Sequence, residues 1–433
     1  MTRWLRNVAT RAPVPVFAVA GAETREAVQT LRLDGRVRLV SAPRQASVLL
    51  IAGRLPETLL DAAVAAHDVM PTPRATVLWL DDPLAPPPHP FADAPVHRGG
   101  DVASALVDVQ HALLRGSQPS EPPVRPDIEP APWRGEGPYG QGGAGMTGGV
   151  PYGRPMATRE DDRDGLTLDV LPVPVGPLFS GFPDGLTARV TFAGDLVHRF
   201  ELGTNPYGDG EARALDDPFW RALHEPVPIA ELEVARARSL LRWASEAARV
   251  AGLDALSLRT LALAERAEPG DAAAVRALGR WLTHPLVTGR QHHGVAALDA
   301  SELGGLGLGP VSRASGIPDD LRSSDPAYVE LGFETICHDD GDAAARWRQR
   351  LAEAEQALEL AARAGSRRTG GSGAVESPRG RLEPDSSPTS RSLPLLPDLV
   401  TGMEWGDAVT TIVSLDLDLP EAAAIASVAG APA

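Results

Sequence analysis

The chain has 433 residues, and at about 150 residues per domain that length argues for two or three domains, each able to bury a core. Its 41 basic residues, all arginine, are outnumbered by 57 acidic ones, a net charge of −16 that excludes a protein built to hold nucleic-acid phosphates by counterion release. A single cysteine, Cys337, excludes an intramolecular disulfide, a Cys-rich zinc site and any cluster held by four thiolates of this chain.

Short apolar runs at 14–19, 37–40, 48–52 and 75–80 predict strands. Between and after them lie helical patterns: Pro56 opens one carrying Leu59, Leu60, Ala63, Val64 and His67, and Val102, Ala105, Leu106, Val109 and Leu113 carry another. The alternation predicts an α/β domain with a mainly parallel sheet over 1–117. From 118 to 162 the text turns to Pro, Gly and acid with little aliphatic periodicity, as expected of a linker. Its roughly 45 residues would reach ~35 to 40 Å as a random coil.

From 163 to 433 a second, mostly helical α+β domain is predicted. Alternation at 186–192 and 196–202 around Ala193-Gly194-Asp195 predicts a β-hairpin. Long helices are expected over 229–251 and 342–364, packed against each other, with strand-like runs at 333–338 and 408–415. No run approaches 18 apolar residues, and Arg3, Arg6 and Arg11 interrupt the N-terminus where a signal peptide would need a continuous apolar core.

The passage from Ser41 to Gly53, with Pro43-Arg44-Gln45-Ala46 before an apolar strand, resembles the small, cluster-bearing subunit of complex I and of membrane-bound nickel-iron hydrogenases. His67-Asp68-Val69-Met70-Pro71 before the next strand is similar to the same family, and the resemblance implies a flavodoxin-like domain over residues 4–115. The second domain resembles the quinone-site (49 kDa-type) subunit of complex I, homologous to the hydrogenase large subunit. Gly309-Pro310-Val311-Ser312-Arg313 through Arg322, the helix opened by Gly341-Asp342, and Glu376-Ser377-Pro378-Arg379-Gly380 carry that likeness. Together the resemblances imply a natural fusion of two subunits that ordinarily bind face to face.

The chemistry of those families has lost its residues here. Where the small subunit places two cluster thiolates before a Glu, this chain has Val19 and Ala20 before Glu23. The third and fourth positions fall at 81–83 and near 96–100, where His97 is the single possible ligand. Cys337 lies in the other domain and reads as a half-buried thiol. The paired Cys motifs that hold nickel are absent, with Asp416-Leu417-Asp418 at the C-terminal one. The loop 176–185 lacks the family's quinone-site His, and Tyr207 sits in an Asn-Pro-Tyr-Gly turn whose flanks do not match. His292-His293 reads as loop or interface, since a metal pair would need a third ligand. The glycines at 304–309 lack the spacing of a dinucleotide loop.

The expectation is therefore a peripheral, redox-inactive subunit of a complex I-like, proton-translocating membrane complex, with no cofactor. It would be cytoplasmic, held to the inner face of the cell membrane by membrane subunits and not by a lipid anchor. The alternatives are a working NADH:quinone oxidoreductase subunit with a divergent quinone cavity between its domains, and a free cytoplasmic regulator. Glu23, Arg44, Arg313, Arg322, Glu376 and Arg379 are the expected domain interface, with Glu23 and Arg44 facing the Arg313 passage and Glu376 able to pair with Arg379. Phe179 and Phe182, expected to be exposed, are the candidate membrane-subunit contact.

Overall fold

The computed structural model describes residues 9–80, 86–127, 158–161, 165–208, 217–370 and 373–429. In the first domain five strands, β1 (Val14–Ala20), β2 (Val37–Leu39), β3 (Val48–Ala52), β4 (Ala75–Trp79) and β5 (Val96–His97), form one parallel sheet in the order β2-β1-β3-β4-β5. Every residue of β3 and β4 is buried, because helices cover both faces. Phe17, Leu49, Ile51 and Leu78 pack under α2 (Glu57–Val69), while Val16, Val48, Leu50 and Val77 pack under α3 (Val102–Arg115). The strict alternation follows from the two-residue period of a strand. Asp101 caps α3 by accepting from the Ser104 N–H, and Gly116, at φ 75°, closes it. A short helix, α1 (Arg25–Thr30), follows β1.

The linker expected over 118–162 starts as a strap on this domain. Glu121 accepts hydrogen bonds from the Thr76 N–H and hydroxyl, both at 2.8 Å, and its carboxylate lies 3.1 Å from Nε2 of buried His67. Most of the remaining stretch lies outside the described residues. At its far end β6 (Arg159–Asp161) pairs with β7 (Thr167–Val175), which continues through β8 (Ala188–Ala193) and β9 (Leu196–Leu202) as an antiparallel sheet. The predicted hairpin is β8–β9, turning at Gly194.

The rest of the second domain is mostly helical: α4 (Ile229–Val250), α5 (Asp254–Arg266), α6 (Ala272–Leu282), α7 (Ala343–Ala364), α8 (Trp405–Leu415) and α9 (Leu419–Ala429), with short turns and the small hairpin β10 (Val375–Ser377)–β11 (Gly380–Leu382). As expected, α4 and α7 lie together. Ala237, Leu240 and Leu241 meet Ala354, Ala357 and Leu358, and Trp243 and Trp347 sit with ring centroids 4.8 Å apart.

Two strand expectations are corrected. Residues 405–415 form α8: the β-branched run Val409–Val413 suits a strand by propensity, but Ala408, Thr411, Ile412, Ser414 and Leu415 are the buried positions, a helical spacing that packing rewards. Residues 333–338 form no regular element, and Cys337 is exposed, not half-buried. Their neighbours fix them in place of a ladder: Gln349 donates to the Ile336 carbonyl at 2.6 Å, and His338 N–H donates to the Arg313 carbonyl at 2.9 Å.

Candidate functional site between the domains

Leu59 of the first domain packs into the apolar core of the second, and three arginines bridge the two domains. Arg25 on α1 makes a two-pronged contact with Asp418 at 3.2 and 2.8 Å. Arg32, just beyond α1, donates to the Ser257 hydroxyl at 2.6 Å. From the other side Arg242 on α4 reaches Glu26 at 2.7 Å. Part-buried, two-pronged arginine contacts combine geometric specificity with charge.

Between the domains lies a cavity of about 1300 Å³. The end of β1, including Val19 and Ala20, and the β2 edge line one side. The loop 177–185, Tyr207 and the face of α4 bearing Trp243 line the other. The loop is shaped by glycine: Gly176, at φ 89°, has the Leu186 carbonyl oxygen 1.9 Å from where a Cβ would stand. Gly185 likewise leaves room for the Tyr207 ring, which a Cβ would meet at 2.5 Å. Tyr207 N–H donates to Asn205 Oδ1 at 3.0 Å, and Asn205 Nδ2 in turn donates to the Leu419 carbonyl at 3.0 Å, so the turn is tied to the start of α9.

Polar groups gather at one end of this cavity. Asp184 lines the cavity and is itself exposed to it; the surrounding protein pushes its carboxyl pKa up, and Arg25 offsets the shift only in part. Burial and the nearby Asp184 raise the Tyr207 phenol as well. Arg379 joins Asp418 at 3.0 Å and lies 3.6 Å from both Asp416 and Glu421. Burial pushes the Glu421 carboxyl up to about 8, whereas Arg25 and Arg379 outweigh burial and hold Asp418 far below the usual carboxylate range. Asp416 adopts φ 58°, an unusual conformation for a non-glycine residue. Asp184, Tyr207, Arg25, Arg379 and Asp416 line the cavity, while Asp418 and Glu421, with their opposed shifts, stand behind Arg379 and not on the wall; together they mark a candidate site.

Of the expected interface residues, Arg379 alone belongs to this network. Glu23 is exposed and accepts from the Arg54 N–H at 2.8 Å within its own domain, and exposed Arg44 makes no hydrogen bond or ion pair among the described residues. Neither faces Arg313. Arg313 is fully buried inside the second domain, gripping Glu353 at 2.7 and 2.9 Å, Glu376 at 2.7 Å and Asp320 at 3.1 Å. Arg322 grips Asp320 at 2.8 and 3.0 Å and reaches Glu233 at 3.2 Å, a carboxylate shared with Arg236. Glu376 thus pairs with Arg313 and not with Arg379, because β10 presents it to the helix interior while Arg379, in the turn after it, faces the C-terminal acids. Burial and neighbouring Asp320 push Glu376 up to about 7; the two arginines outweigh burial and keep Asp320 low.

Phe182 is buried against Phe179, Phe200 and Trp405, at centroid distances of 5.2, 6.3 and 5.9 Å, so it is not an exposed contact. An apolar ring on a short loop over a sheet gains more by folding onto the core than by facing water. Phe179 remains 36% exposed. His292 stacks on Trp347 while His293 meets Asp342 at 3.0 Å, so the two rings serve different neighbours. The 81–83 position lies outside the described residues. At the positions that do fall within them, Val19 and Ala20 offer no donor, and no group of three metal-ligating side chains stands together among the described residues, so these residues do not fit an iron-sulfur cluster. Asp184, Arg25, Glu26, Arg32 and Arg242 escaped the sequence reading. An arginine one residue from an acid on a short helix looks like any solvated surface, and only the docked domains show which charges meet.

Residues 272–411 match the family model described as respiratory-chain NADH dehydrogenase, 49 Kd subunit. The D-type subunit of the NADH-quinone oxidoreductase of Desulfotalea psychrophila is 31% identical over 147 residues, 26% of this chain and 40% of its own length. A D-type subunit of the Streptomyces coelicolor NADH-quinone oxidoreductase is 44% identical over 73 residues, 16% of this chain and 19% of the relative. The matches thus span well under half the length of these curated relatives. A chain of the membrane-bound sulfane sulfur reductase, an archaeal respiratory membrane complex, superposes with a TM-score of 0.45 at 19% identity, covering 58% of this chain and 98% of that one. The family match contains Arg313, Asp320, Arg322, Glu353 and Glu376, so the buried charge network sits in the matched region except for Glu233 and Arg236, which precede it. Within the C-terminal part of this chain, residues 272–411 are thus similar to the respiratory-chain 49 kDa subunit.

Proposed function

We propose that this chain is a peripheral, redox-inactive subunit of a complex I-like, proton-translocating membrane complex, built as a fusion of a small-subunit-like domain with the 49 kDa-type domain. The observation that carries the reading is the cavity wall itself. Where the resemblance to the small subunit would set two cluster thiolates, Val19 and Ala20 face the cavity, and the one cysteine of the chain is exposed in the other domain. Iron held by soft sulfur ligands has no ligand set here. Anaerobic reconstitution of the purified protein with ferrous iron and sulfide tests this: the expected result is no stoichiometric iron or acid-labile sulfide and no visible absorption, and stoichiometric incorporation would overturn it.

One observation favours the second reading, a working quinone cavity: Asp184 and Tyr207 set two groups able to exchange protons on the wall of the cavity between the domains. Titration with a soluble short-chain quinone separates the readings. Saturable binding that is lost in Asp184→Asn and Tyr207→Phe favours a working cavity; no binding favours the inactive scaffold.

A further inference from the structure

The two most exposed large apolar side chains among the described residues lie five positions apart, at the far end of α6: Trp281 at 65% and Leu286 at 76%. The opposite face of α6 is anchored. Val275 and Leu282 are buried, and Gly279 rests against Leu351 of α7. The turn beyond is held as well: Thr288, itself buried, donates its hydroxyl to the Leu282 carbonyl, and His284 Nδ1 accepts from the Leu286 N–H at 3.2 Å. Trp281, Pro285 and Leu286 therefore project from a fixed base and are not a frayed end.

The charge around this tip runs against that of the whole protein. Residues 272–298 contain three arginines and three histidines and not one Asp or Glu, in a chain of net charge −16. Arg276 turns back to Glu355 and Glu359 on α7, but exposed Arg280 has no ion pair among the described residues, and His284 is exposed beside it. A Trp and a Leu protruding next to an arginine without an ion pair suit an interface with an apolar interior and anionic surface groups; a flat apolar patch would suit another protein.

We propose that the Trp281–Leu286 tip inserts into the surface of an anionic bilayer, with Arg280 and His284 at the headgroups and the acidic bulk of the chain turned away. This departs from the expectation that membrane subunits alone hold the chain to the membrane, because a net charge of −16 averages over a surface that is not uniform. The inference does not rest on membership of any complex.

Flotation of the full chain with protein-free vesicles tests it. At low salt the wild type is expected to float with phosphatidylcholine vesicles containing phosphatidylglycerol and to bind pure phosphatidylcholine about tenfold less or weaker. The double variant Trp281→Ser/Leu286→Ser should lose about tenfold in binding, Arg280→Ser a smaller factor, both with unchanged circular dichroism since these side chains are mostly exposed. Failure of the wild type to float with the anionic vesicles, which would leave a protein pocket as the tip's partner, overturns the proposal. So does equal flotation of the double variant.

Discussion

Arg313→Met removes the centre of the buried charge network. The guanidinium is fully buried and serves three carboxylates, Glu353 at 2.7 Å, Glu376 at 2.7 Å and Asp320 at 3.1 Å, and it also donates to the Asp319 carbonyl at 3.0 Å. Methionine fills much of the volume but leaves Arg322 and Arg236 alone to balance Glu233, Glu353, Glu376 and Asp320. Breaking a buried pair by deleting one partner costs about 3 to 5 kcal/mol, since the remaining charge is stranded in low dielectric. In a domain of this size that corresponds to a Tm lower by roughly 10 °C. The sign of the pH dependence follows from the same charges. In the wild type Arg313 helps to hold Glu353 and Asp320 below their ordinary values, so their stabilisation persists at neutral pH and is lost only as pH falls through those depressed values. Without Arg313 their folded pKa values rise, as that of Glu376 already has, and folding becomes less favourable as pH increases. Thermal unfolding followed by circular dichroism at pH 5.5 and pH 8 should show a gap between variant and wild type that widens toward pH 8, and Arg313→Met/Glu353→Leu should recover part of it. A loss below about 1 kcal/mol, or an equal loss at both pH values, would refute the argument.

Three further outcomes follow from the site. Arg25→Ala and Asp418→Asn, combined in a double-mutant cycle on Tm, should show a coupling of about 1 to 3 kcal/mol, because each removes the other's two-pronged partner. Asp184→Asn should raise Tm at pH 8, with the gain shrinking as pH falls toward the ordinary value of 3.8 and vanishing below it: an acid whose folded pKa is raised costs stability as pH climbs, and the amide removes that cost. Gly176→Ala should lower Tm by more than 1 kcal/mol would, about 3 °C or more, since the backbone is at φ 89° and the new Cβ would collide with the Leu186 carbonyl oxygen.

The first domain could be read from its strands because β3 and β4 are buried on both faces and their sequences are continuous apolar runs bounded by turns. The α4–α7 pair was equally open, since Leu240, Leu241, Ala354 and Leu358 recur at helical spacing. Helix α8 was hidden because local propensity and tertiary packing disagree in Val409–Val413, and packing wins. The site was harder. Arg313, Arg322 and Glu376 stood out in their motifs, yet a motif does not tell an interface from an interior, and all three proved to be core. The arginines that do join the domains lie on α1 and α4 among ordinary surface charges. Glu23 and Arg44 failed for the same reason in reverse: prominent in the sequence, they bond locally or face water.

Membership of a membrane complex is the central claim, and isolation of the tagged full chain from its own cells in mild detergent tests it most directly. The account predicts that it emerges in a fixed ratio with integral-membrane subunits of the complex I kind, bringing no iron of its own; recovery of the tagged chain free of any such subunit would contradict it.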